Sequence, residues 1–324
     1  MIIEGLGVIM SGVNYKKVGM VGCGFVGAAS AFALMESGLF SEMVMIDAVK
    51  EKAEGEALDI GHGMPFSKPM RIYAGDYSDL ADAAIIVVTA GANQKPGETR
   101  LDLVKKNIEI FRSIIPEIAK YNKDGILLIV ANPVDILTYA AQKLSGFPEN
   151  RVIGSGTVLD TSRLKYLLGD LLKVDNRSVD AFIVGEHGDS EFAVWSSANV
   201  AGVPMKDFFE MRDIKDHEKV MTEIADGVKN AAYEIINRKK ATYYGIAMSV
   251  TRICEAIIRD EKSILPVSSI QHNNHGVDDV ALSMPSIVGE GGLEAIVPIE
   301  ISNEEKELLK NSADTLKSVI KEYL

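Results

Sequence analysis

Cysteine is nearly absent: Cys23 and Cys254 are the two among 324 residues. Thiols this far apart in sequence make no disulfide framework and no zinc-ligand spacing, which fits a reducing cytoplasm. No apolar run approaches the roughly 18 residues that a membrane span requires. The opening MIIEGLGVIM is apolar but about ten residues long, carries Glu4 and lacks a basic leader, so it makes a poor export signal. Residues 1–9 read either as a disordered arm or as an upstream start, and 1–15 as an N-terminal arm. Positive charge is also short. Lys and Arg number 34 against 46 Asp and Glu, a net charge of -12. Such a surface repels nucleic acid and anionic membranes, so an anionic ligand needs a local cationic pocket.

What remains is an ordinary soluble composition, 47% hydrophobic and 25% charged. The length suits one large or two medium domains. In the first half, KVGMVG, EMVMID, MRIYAGD, AIIVVTAG, ILLIVAN and RVIGSG read as strands. Helical patterns such as AASAFALMESG and LVKKNIEIFRSIIPEIAKY lie between several of them. This alternation predicts an α/β fold with a parallel sheet covered on both faces, whose ligands bind at the carboxyl ends of the strands. After about Gly156 the pattern changes to helices (TSRLKYLLGDLL, then a long stretch from about His217 to Arg259 broken near Ala241 to Gly245). Two hairpin-like runs, ILPVSSIQH and ALSMPSIVG, and a terminal amphipathic helix follow. The expected division is a doubly wound nucleotide-binding domain over 1–155 and an α+β catalytic domain over 156–324.

Gly22-Cys23-Gly24-Phe25-Val26-Gly27 forms GxGxxG directly after a strand and at the start of a helix, with Asp47 ending the next strand 20 residues beyond Gly27. That context turns a weak motif into a dinucleotide (Rossmann) fingerprint. Gly22 permits the tight turn, Gly24 lets backbone approach the pyrophosphate, and Gly27 lets the helix pack on the sheet. The helix N-terminus offers free N–H groups to phosphate. The Asp47 carboxylate can accept both ribose hydroxyls of NAD and would repel the extra phosphate of NADP, so NAD is the expected cofactor.

Five histidines are candidates for proton chemistry. His217, in DIKDHEKV, reads as solvated, and His62, in IGHGMPF, as a loop residue without a partner. His272 and His275 form HxxH in the turn-like QHNNHG, not on a helix, so no metal site is expected. His187 ends the apolar run SVDAFIVGEHGDS between glycines. Asp160 and Arg163, three apart at a helix start in VLDTSRLK, share a face. A carboxylate can fix an imidazole tautomer, and an arginine fork can hold a substrate carboxylate. Beside a dinucleotide site, this set points to hydride transfer coupled to proton transfer.

These residues are similar to those of the L-lactate and malate dehydrogenases. The resemblance runs after residue 16 through GCGFVG, MID, TAGANQKPGETR, VANPVD, GSGTVLDTSR, GEHGDSE and ATYYGIA, and is nearest the bacterial lactate branch. It implies that His187 exchanges the substrate proton, Asp160 orients it, and Arg163 binds the substrate carboxylate. Arg100 would polarise the carbonyl from a closing loop, Asn132 would bond the same oxygen, and Thr242 would line the substrate end. Around NAD it implies Val26, Lys52, Tyr77, Gly91, Ala92, Ser113, Val130, Asn132 and Ser155. Pro96-Gly97 supplies a turn, and Thr99 with Asp102 can cap the following helix.

Gln94 would then face the far end of the substrate, where malate-specific members carry arginine. The loss of a charge-assisted contact worth roughly 1.5–3 kcal/mol favours monocarboxylates, hence lactate and pyruvate. The resemblance also implies a homotetramer. In many bacterial members an arginine and a histidine bind a sugar-bisphosphate effector where this chain has Lys165 and Asp180, so fructose-1,6-bisphosphate activation is not expected. The rival readings are a malate dehydrogenase, which needs a cation at position 94, and a branched 2-hydroxyacid dehydrogenase. An NAD-dependent glycosidase, which needs a metal with Cys and His ligands, and a non-catalytic NAD-binding protein complete them.

Overall fold

The computed structural model describes residues 12–92 and 100–324, with the side chain of Arg100 excepted. The six sequence-predicted strands of the first half are β1 (Asn14–Val21), β2 (Glu42–Ile46), β3 (Arg71–Ala74), β4 (Ala83–Val88), β5 (Ile126–Ile129) and β6 (Val152–Gly154). They pair in parallel in the order β3-β2-β1-β4-β5-β6. Every residue of β4 (AAIIVV) and of β5 (ILLI) is buried, as expected of central strands covered on both faces.

Helices α1 (Phe25–Ser37), α2 (Lys50–His62), α3 (Arg100–Tyr121) and α4 (Val134–Ser145) connect these strands. The second half adds α5 (Val158–Leu172), α6 (Met205–Met211), α7 (His217–Lys239), α8 (Tyr244–Ile258) and α9 (Asn303–Tyr323). Ser302 caps α9 reciprocally with Glu305, a pairing that satisfies donors at a helix start. On one face of the sheet, Ile108 and Phe111 of α3, Leu137 of α4 and Leu316 of α9 are buried in one core. On the other, Leu34 and Met35 of α1 and Ile253 of α8 fill a second. A third core joins Leu164 and Leu168 of α5 to Phe209 and Met221.

Short strands β7 (Val179–Asp180), β8 (Ile183–Val184), β9 (Phe192–Ala193), β10 (Asn199–Val200) and β11 (Val203–Pro204) shape the second half. The two hairpin-like runs are β12 (Ser263–Ile270) and β13 (Ala281–Gly289), followed by β14 (Gly292–Ile296). These three are antiparallel, yet they do not stand apart. Ser268 of β12 pairs with Gly154 of β6, which extends one sheet to nine strands across the middle of the chain. The apolar content of β12 and β13 supplies the reason. Both are largely buried, so their faces need the same helical cover as the parallel strands.

Two histidine readings change. His217 is half-buried at the start of α7, its Nε2 3.1 Å from the Ile214 carbonyl and its ring 5.5 Å from that of Phe209. It is a packed residue, not a solvated one. His62 is exposed but closes helix α2; it does not lie in a loop.

Candidate active site

The strand order reverses between β1 and β4, which opens a crevice beyond their carboxyl ends. A cleft of about 620 Å³ occupies it, walled by Gly22, Gly24, Asp47, Lys52, Tyr77, Gly91, Ala92 and Ser113 among others. Gly22 has φ +100°, and a Cβ there would lie 2.5 Å from the Ala90 nitrogen. A Cβ on Gly27 would come within 1.9 Å of the Gly22 carbonyl oxygen, so α1 can seat on the turn only with glycine at that position. Gly24 differs: a Cβ there meets nothing within 4 Å, and Gly24 supplies no side-chain cap to α1. Open space before free helix N–H groups suits a pyrophosphate.

Asp47 sits at the cleft with Oδ2 accepting the Cys23 N–H at 2.7 Å and Oδ1 the Val49 N–H at 3.0 Å. Those bonds fix the carboxylate at the end of β2, where a ribose would reach it. Asn107, fully buried on α3, holds the opposite wall: it accepts from the Ala92 N–H at 2.7 Å and donates to the Asn132 carbonyl at 2.7 Å. Ser113 is exposed on α3, Val26 is half-buried on α1, and Val130 is buried at the end of β5. Ser155 follows β6, its N–H bonded to the Ile129 carbonyl at 2.8 Å. Val26, Val130, Asn132 and Ser155 are not among the residues walling the cleft.

The three residues singled out for proton chemistry meet. His187 lies in the turn after β8, where Gly185 has φ +90° and the chain bends toward α5. Its Nδ1 is 2.6 Å from Asp160 Oδ2, and Arg163 donates to Asp160 Oδ1 at 2.7 Å. Asp160 and Arg163 occupy the first turns of α5, so one carboxylate serves both cations. Burial alone would push the His187 pKa down. The Asp160 carboxylate overcomes it and lifts the group to about 9. Asp160 itself is 1% exposed, and despite that burial its two cationic partners hold its carboxyl below the usual range.

Two buried carboxyls beside His187 escaped the sequence reading. Asp135, on α4, accepts the main-chain N–H of His187 at 2.7 Å. Glu191 places an oxygen 4.0 Å from His187 Nδ1, and burial followed by the Asp160 charge lifts its carboxyl to about 8. Asp160, His187 and Glu191 bring one donor atom each within 4.8 Å, a spacing that a metal could also use. The Asp160 oxygens, however, are already engaged by His187 and Arg163, at 2.6 and 2.7 Å. HxxH does not close on itself: the His272 Nε2 is 2.5 Å from Glu149.

Gln94, Pro96, Gly97 and Thr99, together with the side chain of Arg100, lie outside the described residues. Thr242 is half-buried before α8. Lys165 reaches Asp180 at 4.0 Å, and burial lowers the pKa of that lysine although Asp180 opposes the shift.

The lactate/malate dehydrogenase NAD-binding domain model matches residues 16–154, and the lactate/malate dehydrogenase alpha/beta C-terminal domain model matches 157–324. The chain is 56% identical to an L-lactate dehydrogenase of Acetivibrio thermocellus over 306 residues, covering 94% of this chain and 96% of that one. It is 52% identical to one of Clostridium botulinum, covering 95% and 96%. The solved structure of a minor L-lactate dehydrogenase from Enterococcus mundtii superposes with a TM-score of 0.93 at 46% identity, covering 97% of this chain and 99% of that one. With both family models spanning nearly all of it and this geometry at its centre, the chain belongs to the lactate/malate dehydrogenase family.

Proposed function

We propose that this protein catalyses the reversible, NAD-dependent interconversion of L-lactate and pyruvate. The observation that carries the reading is the His187–Asp160–Arg163 cluster, an imidazole and a guanidinium sharing one buried carboxylate at 2.6 and 2.7 Å. NAD, when bound, supplies the hydride acceptor for lactate oxidation. The residues walling the cleft fit it, with open space at Gly24 before the start of α1 and a carboxylate at Asp47 to face a ribose.

The Nδ1 edge of His187 is committed to Asp160, so proton exchange falls to Nε2. Neutral His187 takes the proton of the lactate hydroxyl, and Asp160 stabilises the imidazolium so formed. In the reverse direction the imidazolium returns the proton to the carbonyl oxygen of pyruvate. Arg163 has N–H groups beyond the one spent on Asp160 and grips the substrate carboxylate. Asn132 and Arg100 act on the reacting oxygen, Thr242 lines the far wall, and Gln94 sets the preference for a monocarboxylate. Lys165, paired to Asp180, is not left to meet a sugar phosphate. A homotetramer is part of the same proposal and rests on the family resemblance. A cytoplasmic site of action is supported by two buried free thiols and, among the described residues, by the absence of any helix long and apolar enough to cross a membrane.

The reading is tested by following NADH absorbance with pyruvate, oxaloacetate and a branched 2-keto acid in parallel, with chelator present. Pyruvate is expected to give the highest kcat/KM. Preference for either other acid, or loss of turnover to the chelator, would overturn it.

A further inference from the structure

Asp160 and Arg163 account for His187 from one side and leave Asp135 without a role. Asp135 lies in the first turn of α4, three residues after Asn132, and is 1% exposed. Its Oδ2 accepts the His187 N–H at 2.7 Å, and its Oδ1 accepts the hydroxyl of Ser268, on β12, at 2.6 Å. One carboxylate therefore ties three segments together: the chain leaving β5, the added strand β12, and the catalytic turn after β8.

A buried carboxylate gives up the hydration of a full charge, whereas a neutral acceptor would satisfy a main-chain N–H at smaller cost. The charge therefore calls for a reason of its own. Burial raises the Asp135 carboxyl to about 6, the bonds from Ser268 and His187 holding it from going higher, so it is ionised where His187 titrates. The start of a helix favours such a charge. The other charged groups facing this pair are Asp160 and Arg163 of α5, and Glu186 and Glu191 of the catalytic turn, with Lys229 of α7 facing Glu191.

We propose that Asp135 is a positioning residue: it fixes the main chain of His187 against the Asn132 segment and adds negative charge that favours the imidazolium. The proposal rests on the proton-transfer role given to His187 above.

Two variants separate its parts. In Asp135→Asn the carbonyl can go on accepting the His187 N–H while the amide donates to Ser268, so geometry survives and charge is lost. Asp135→Ala removes both. The alanine variant is expected to lose about ten- to hundredfold in kcat with pyruvate, with NADH affinity and KM little changed, because the misplaced group acts in the transition state. The asparagine variant is expected to keep most of its kcat near neutral pH while the alkaline limb of kcat/KM moves to lower pH. The proposal is overturned by an asparagine variant whose profile superimposes on the wild type, by an alanine variant with unchanged kcat, or by one whose loss lies in KM and NADH affinity. Should Asp135→Ala fail to fold, the asparagine profile decides alone. A wild type inactive on pyruvate overturns this proposal together with the proposed function. An active wild type with an unmoved asparagine limb overturns only this one.

Discussion

Replacing Asp160 by asparagine isolates what the shared carboxylate does for His187. The histidine rises from an ordinary 6.5 to about 9 against the opposing effect of burial. Each pKa unit is 1.36 kcal/mol, so Asp160, the largest raising influence, with smaller help from Glu191 and Asp135, favours the imidazolium by about 3 kcal/mol net. The sign follows from the direction of the shift. A raised pKa keeps the ring protonated up to about 9, so kcat/KM for pyruvate, which needs the proton, holds below that pH and falls above it. Lactate oxidation needs the neutral ring and falls below it. In Asp160→Asn the pKa of the ring falls, because burial then acts with less opposition. At a pH one unit above the lowered value only about one molecule in ten would carry the proton. Lost orientation adds to this, since an amide no longer selects the Nδ1–H tautomer, and the combined loss in kcat/KM for pyruvate is expected to be on the order of 10²–10⁴. The assay is the pH profile of kcat/KM by NADH absorbance, wild type against variant. An alkaline limb that stays near 9 in the variant would refute the assignment of Asp160.

Gln94→Arg is expected to raise kcat/KM for oxaloacetate relative to pyruvate by roughly 10- to 150-fold, from a charge-assisted contact to the second carboxylate; equal ratios before and after would remove position 94 from specificity. Titrating fructose-1,6-bisphosphate into the pyruvate assay is expected to leave the saturation curve unchanged, because Lys165 already faces Asp180 at 4.0 Å; a sharp fall in KM would contradict that. Gly27→Ala forces a Cβ to within 1.9 Å of the Gly22 oxygen, so thermal melting should fall and NADH fluorescence titration should show weakened binding. Normal melting and affinity would mean that α1 can shift without consequence.

Much of this architecture was legible along the chain because local chemistry wrote it there. The six parallel strands announced themselves through short β-branched or apolar runs, and GxGxxG with Asp47 marked the crevice. Asp160 and Arg163 declared a shared face through a spacing of three. The joining of β12 to β6 was not legible, since the contact is a single register pair, Ser268 with Gly154, that no periodicity signals. Asp135 was missed for a related reason. It serves a main-chain N–H 52 residues away, and a main-chain donor leaves no mark in sequence. Glu191 stands in the motif GEHGDSE, but its place beside Asp160 depends on burial, a property of packing. His217 looked solvated among charges because its partner, the Phe209 ring, belongs to the preceding helix.

The most direct measurement is made on His187→Ala: NADH binding by fluorescence and pyruvate turnover by absorbance, on the same preparation. NADH affinity is expected to stay near the wild-type value while turnover drops by at least about 10²-fold, since the imidazole serves proton transfer and not the nucleotide. Turnover close to wild type would contradict the account at its centre.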